Sequence, residues 1–276
     1  MLNAAQCADL ADEIRADITR NDIELPTLPE VALQVREAVE SEDTDTETVA
    51  NVVAKDAALS VRLLQVANSP LYRARTEIDS IPQAVTRLGL KMVRSLVVSL
   101  AMKQIFQATS DALDRQFRRV WDDSLQVAAI SRVLAGNVAE LENEQAMLGG
   151  LIHNIGALPI LTKIDARWGF DADETVIKAL IDDLAPGIGE QILRHWNFSE
   201  SLASIPTACQ DLAYDPGPVP TYADIVLVAR LQNLGGRADW SAVPAFAKIG
   251  LEPEVVIIDL QGPAEEIAEV RSMLEG

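Results

Sequence analysis

Imidazole is scarce in this chain: among 276 residues only His153 and His195 carry it. His153 sits in the middle of the apolar run Leu148-Gly-Gly-Leu-Ile-His-Asn-Ile-Gly-Ala-Leu-Pro-Ile-Leu161. An imidazole held there can serve as a general base or a metal ligand, or it can be a core side chain bonded to a backbone carbonyl. Its neighbour Asn154 offers an uncharged carbonyl oxygen, a weak offset for a divalent cation. His195, beside Trp196, reads as a partly exposed residue. Other chemistries lack their residues, since there is no glycine-rich phosphate cradle, no nucleophile elbow, and no histidine with a recognisable serine or cysteine partner.

The elements that must hold His153 read as helices. Gly149 and Gly150 admit another backbone, Leu148, Leu151, Ile152 and Ile155 neighbour one another at helical spacing, and Gly156 with Pro159 marks a stop or kink. Upstream, Leu10, Ile14 and Ile18 predict a helix over 4–20, and Pro29 opens a second with Val31, Val35, Ala38 and Val39 on its apolar side. Thr44-Asp-Thr-Glu47 has capping-box spacing before a short helix ending near Lys55. Another begins at Asp56, buries Leu59, Leu63 and Val66, and ends at Asn68-Ser69-Pro70. Ser80 is expected to cap the next helix, which stops at Gly89 before an apolar helix from Lys91 to about Gln107. Residues 111–136 predict a helix with Phe117, Trp121, Leu125, Ala128 and Ala129 on one side and Arg115, Arg118 and Arg119 exposed.

Beyond the His153 run, a loop is expected from Trp168 to Glu174, a helix over 174–184, a break at Pro186-Gly-Ile-Gly189 and a further helix over 191–198. Asp215-Pro-Gly-Pro-Val-Pro220 is a loop, and Thr221 opens a helix closed by Gly235 and Gly236. Residues 242–249 and 264–274 read as short helices. Between them, the β-branched Val255-Val-Ile-Ile258 keeps 253–262 open between helix and strand.

A hydrophobic share of 49% supports a sizeable core, in one large domain or two smaller ones. Against 23 Lys and Arg stand 42 Asp and Glu, a net charge of −19 that opposes nucleic-acid phosphates and anionic membranes, so proteins are the expected partners. Cys7 and Cys209 are too few for a disulfide framework and read as structural thiols in a reducing compartment. No secretory signal opens the chain and no uninterrupted apolar segment reaches about 18 residues, so a cytoplasmic location is expected.

The Leu-Ile-His-Asn-Ile-Gly segment around His153 resembles the His-Asp motif of the HD superfamily of metal-dependent phosphohydrolases, with Asn154 in place of the aspartate. Three further segments resemble the narrower HDOD family of bacterial signalling domains. They are Leu25-Pro-Thr-Leu-Pro29, the run from Asp56 through Asn68, Ser69 and Pro70 to Tyr72, and Ile81-Pro-Gln-Ala-Val-Thr-Arg-Leu-Gly89. The resemblance covers roughly residues 20–235. It implies an all-α fold, with an N-terminal helical subdomain over 1–110 packed on a multi-helical HD-like, phosphodiesterase-like bundle over 111–276.

It also implies where the metal ligands of catalytic relatives fall. His153 and Asp224 keep a ligand type, Asp123 and Asn154 are substitutions, and Ala185, Leu212 and Ala213 cannot coordinate. Asp123 can ligate a hard cation or stand as a solvated carboxylate. Asp224, at the third position of the helix opened by Thr221, suits a capping carboxylate as well as a ligand. The vestigial pocket is therefore His153, Asn154, Asp123 and Asp224. No cofactor or metal is expected, and His153 with Asp224 would hold an ion if one bound. The expected role is a non-catalytic signal-transduction domain that binds a protein partner or a small regulatory ligand. Two alternatives are a divergent HD-type phosphohydrolase acting on a nucleotide or cyclic dinucleotide, and a cyclic-dinucleotide sensor using arginines such as Arg87, Arg94, Arg115 or Arg118.

Overall fold

Four-residue apolar spacing and local caps set the helices that open the chain. A computed structural model describes residues 4–20, 25–40, 45–72, 77–108, 110–168, 174–235 and 240–275. Helix α1 (Ala4–Arg20) buries Leu10 and Ile14, as their spacing predicts. The buried side of α2 (Glu30–Glu40) is Ala32, Val35 and Arg36, with Val31, Ala38 and Val39 only half-buried. That one-position shift arises because Arg36 turns inward to backbone acceptors described below. Helix α3 (Thr46–Val53) is capped by Asp45, whose carboxylate accepts from the Thr48 amide at 2.7 Å; Thr44 lies outside the described residues.

Helix α4 (Ala57–Ala67) is capped by Asp56 and buries Leu59, Leu63 and Val66. Ser80 stands at the N-cap of α5 (Ile81–Leu88) without a side-chain bond, and Pro82 in the first turn already lacks the N–H such a cap would satisfy. Helix α6 (Leu90–Met102) tightens into a 3-10 turn over Lys103–Ile105 and so ends before Gln107.

The second half is built on α7 (Asp111–Ala135), which shows the predicted buried side and exposed arginines. The apolar run around His153 is two helices, α8 (Asn143–Ile152) and α9 (Ala157–Trp168), with His153–Gly156 as the turn between them. Residues 143–167 have the length and hydropathy of a membrane span, yet 78% of that stretch is buried inside the fold. Helix α10 (Glu174–His195) runs unbroken through Pro186, against the break expected there. One lost backbone bond is outweighed by the burial of Leu184, Ala185, Ile188 and Ile192 along a continuous side, where a Cβ on Gly156 would come within 2.0 Å of the Ala185 carbonyl oxygen. The loop expected between 168 and 174 falls mostly outside the described residues.

Short helices α11 (Glu200–Ala203) and α12 (Ile205–Ala208) lead to α13 (Tyr222–Leu234), closed by Gly235 at φ 65°; Gly236 is not among the described residues. Helix α14 (Pro244–Lys248) is followed by a 3-10 turn over Ile257–Asp259 and by α15 (Gln261–Glu275). The segment 253–262 therefore forms no strand, and none occurs among the described residues. One cluster of buried apolar side chains runs from Leu10 on α1 to Leu274 on α15.

Candidate functional site

Position 150 must be glycine for the site to assemble. A Cβ there would lie 2.5 Å from the Cα of Ala128, so α8 rests directly on the backbone of α7. The end of α8, with His153 as its C-cap, is thereby pressed against the part of α7 that carries Asp123. His153 Nδ1 is 2.6 Å from the Gly150 carbonyl, which can only accept, so the ring proton sits on Nδ1 and Nε2 is bare. Nε2 lies 3.7 Å from Asp123 Oδ2, too far for a hydrogen bond. Burial pushes the His153 pKa down to about 4; Asp123 pulls it upward and the nearby Arg230 guanidinium pushes it further down. At neutral pH the imidazole is uncharged, the core-histidine arrangement with a backbone carbonyl.

Helix α13 supplies two side chains that the motif comparison overlooks. Asn233 donates to Asp123 Oδ1 at 2.7 Å. Arg230, one turn earlier, donates to the Cys209 carbonyl and, at 2.7 Å, to Gln210 Oε1. The signal for both is in the sequence: polar residues three apart interrupt the otherwise apolar Ile225–Leu231 stretch. Arg230 thus binds the start of the Cys209–Ala213 segment, to which the HD resemblance assigns a lost His-His pair. Leu212 in that segment is 52% exposed. The Cys209 thiol is buried, and desolvation pushes its pKa up to about 11 despite the opposing pull of Arg230.

Asp224 is fully buried and engaged elsewhere. Its Oδ2 accepts from the Thr221 amide at 2.9 Å and the Thr221 hydroxyl at 2.7 Å, while the Thr221 oxygen accepts from the Asp224 amide, a complete capping box. Its Oδ1 takes a hydrogen bond from Lys248 at 3.1 Å. The four residues read as one vestigial pocket therefore divide. His153 and Asp123 face each other. Asn154 joins Asp123 in lining a cleft of about 520 Å³ between α7 and α10, whose walls include the Arg119–Glu174 and Lys178–Asp182 ion pairs. Asp224 closes a helix end against Lys248. Among the described residues, no three or more His, Cys, Asp or Glu side chains are grouped to hold a metal.

The remaining sequence candidates have structural partners. Asp56 accepts from the Leu59 amide at 2.9 Å. The Asn68 amide grips the backbone of Ile78 from both sides, donating to its carbonyl at 2.7 Å and accepting from its N–H at 2.8 Å, which closes the loop after α4. The Ser69 hydroxyl is buried without a hydrogen-bond partner, and Pro70 starts a 3-10 turn that delivers Tyr72 over Arg132. Arg115 and Arg118 are exposed on α7, with Arg118 paired to Asp114 at 2.6 Å. Arg94 lines a pocket of only about 50 Å³, too small for a dinucleotide. His195 is exposed at the end of α10.

With this geometry in hand, comparison with known proteins gives a match to the HDOD domain over residues 25–211. The chain belongs to the HDOD family. A solved structure of a "Putative metal-dependent phosphohydrolase" from Shewanella amazonensis SB2B is similar to this HDOD chain at 28% identity and a TM-score of 0.85, over 97% of this chain and 99% of that one. An HDOD domain protein of unknown function from Geobacter sulfurreducens shares the fold at 21% identity and a TM-score of 0.68, over 99% and 98% of the two chains. An uncharacterised Treponema pallidum (strain Nichols) protein is 22% identical over 250 residues, 84% of this chain and 47% of its own length. The HDOD chain thus spans about half the length of that curated relative. These likenesses support a signalling-related domain of HD type.

Proposed function

We propose that this HDOD chain is a non-catalytic regulatory domain that acts through contact with a protein partner or through a small ligand. One observation carries the reading: the acidic groups an HD metal centre would use are taken by the protein's own side chains. Lys248 donates to buried Asp224, and Asn233 to Asp123. A dinuclear centre needs several anionic or imidazole ligands converging on two ions, and a cation at Asp224 would have to expel an ammonium. The residues present do not fit that group. The net charge of −19 favours a partner with a basic face. A "Putative signal transduction protein" of Marinobacter aquaeolei VT8, 22% identical, has a name in keeping with this role.

A boundary near residue 110 between an N-terminal helical subdomain and the HD-like bundle belongs to the same proposal. Its support is Ser110, which caps α7 and also donates to Asp165 on α9 at 2.9 Å, anchoring the start of the second unit.

The Shewanella structure's name favours the opposite reading, a divergent phosphohydrolase. Elemental analysis of chain purified after exposure to Mn²⁺ or Fe²⁺, run beside a phosphodiester hydrolysis assay, separates the two. The expected result is metal well below one ion per chain and no turnover. Two ions per chain, with hydrolysis lost in His153→Ala, would overturn the regulator reading.

A further inference from the structure

A cavity of about 470 Å³ opens between α1, the Leu25-Pro26 segment, α9 and residues 105–107, distinct in its lining from the cleft at Asp123 and Asn154. Ile14, Leu25, Ile105, Phe117, Leu158 and Ile188 make its lining chiefly apolar. Its size falls within the range of small-molecule sites, which combine an apolar body with a few placed polar groups. The polar groups here lie along one edge. Lys163 donates to Asp17 and lies 3.1 Å from Glu13, which leaves the third N–H of its ammonium without a partner among the described residues. Gln107, also in the lining, has an exposed amide with no partner among the described residues.

That edge discriminates by charge. A ligand carboxylate reaching for Lys163 would settle beside Asp17 and Glu13 and be repelled by both. An uncharged oxygen can accept the spare N–H without that conflict. We propose that this cavity binds an uncharged amphiphile, an apolar chain or ring system ending in a carbonyl or hydroxyl oxygen that accepts from Lys163.

The proposal rests on the regulator reading, for which it supplies an input. The Pro26 carbonyl beside the cavity accepts from the Trp196 indole at 3.0 Å, so an occupant bears on the contact between the first family motif and the end of α10.

The test titrates the intact chain with N-phenyl-1-naphthylamine, a neutral fluorescent probe, and then displaces it with 1-decanol or with decanoate, which match in length and differ in charge. One saturable probe site per chain is expected, with decanol displacing at a concentration at least tenfold below decanoate. Ala166→Trp narrows the mouth and should abolish probe binding with the circular dichroism spectrum unchanged; Ile105→Trp does the same from the opposite wall should the first variant misfold. Absence of a saturable site, binding that survives in a folded blocking variant, or equal displacement by decanoate would overturn the proposal. None of these outcomes alters the metal content that decides the regulator reading, so the two can fail separately.

Discussion

The ammonium of Lys248 lies 3.1 Å from the carboxylate of Asp224, with the aspartate side chain fully buried and the lysine 7% exposed. Lys248 also reaches Asp215 at 2.9 Å and stands over the Tyr214 ring. Burial opposes its charge, but the two carboxylates outweigh that and raise its pKa. Removing one partner of a buried pair leaves the other uncompensated. Lys248→Met is therefore expected to cost about 3–5 kcal/mol in urea unfolding. The Lys248→Met/Asp224→Asn double variant should cost clearly less than the sum of the singles, because both act on one interaction. Additive costs would show that the capping box alone carries Asp224.

His153 makes the fold acid-sensitive in a defined window. Its pKa lies near 4 when folded, below the ordinary 6.5, so under pH 6.5 the unfolded chain takes up a proton that the folded chain refuses. Stability contributed by the neutral ring is complete above pH 6.5 and is lost as pH falls toward 4, by an amount on the order of 3 kcal/mol. His153→Gln should flatten this part of the stability profile relative to the parent chain. An unchanged slope between pH 6.5 and 4.5 would place the acid sensitivity elsewhere.

Much of this architecture could be read from the chain because helix periodicity and caps are local. Leu10 and Ile14, the Asp56 cap and the Asn68-Ser69-Pro70 stop all appear where their chemistry puts them. Pro186 misled because its cost is local and small, whereas the packing that holds α10 together comes from α9 and α12, distant in sequence. At the site, His153 and Asp123 were found by motif position. Arg230, Asn233 and Lys248 were not, since a motif names ligands and says nothing of the cations and amides that replace a metal. Arg36 escaped for a similar reason: helical periodicity sorts apolar from polar and gives no sign that a guanidinium will turn inward.

That inward turn links the two halves of the chain. Arg36 on α2 donates to the Trp196 carbonyl and, at 3.0 Å, to the Asn197 carbonyl, and its guanidinium stacks 4.9 Å from the Phe198 ring centroid. It thereby caps the end of α10, where Asn197 sits at φ 55°. Arg36→Ala should destabilise the fold by roughly 2–4 kcal/mol, from lost charged hydrogen bonds and stacking. Arg36→Lys should recover only part, because one ammonium cannot reproduce the planar two-donor fork. Full recovery by lysine, measured by chemical denaturation, would reduce the role of Arg36 to charge alone.

Gly150 offers the sharpest check on how the site is assembled. A methyl group there would stand 2.5 Å from Ala128 Cα and 2.7 Å from its nitrogen, and neither backbone atom can swing aside. On an isolated helix, replacing glycine with alanine gains up to about 1 kcal/mol. Here overpacking opposes that gain, so Gly150→Ala should be net destabilising by roughly 1–3 kcal/mol as α8 is lifted from α7. The same shift would move His153, whose Nδ1 proton is held by the Gly150 carbonyl. A rise in the imidazole pKa, followed by its ring-proton NMR signals, is expected as water reaches the ring. Gly136→Ala serves as the control, since its nearest non-neighbour contact is a looser 3.3 Å. If Gly150→Ala proved neutral in stability and left the histidine titration in place, the helices could not be in the backbone contact that brings His153 to Asp123.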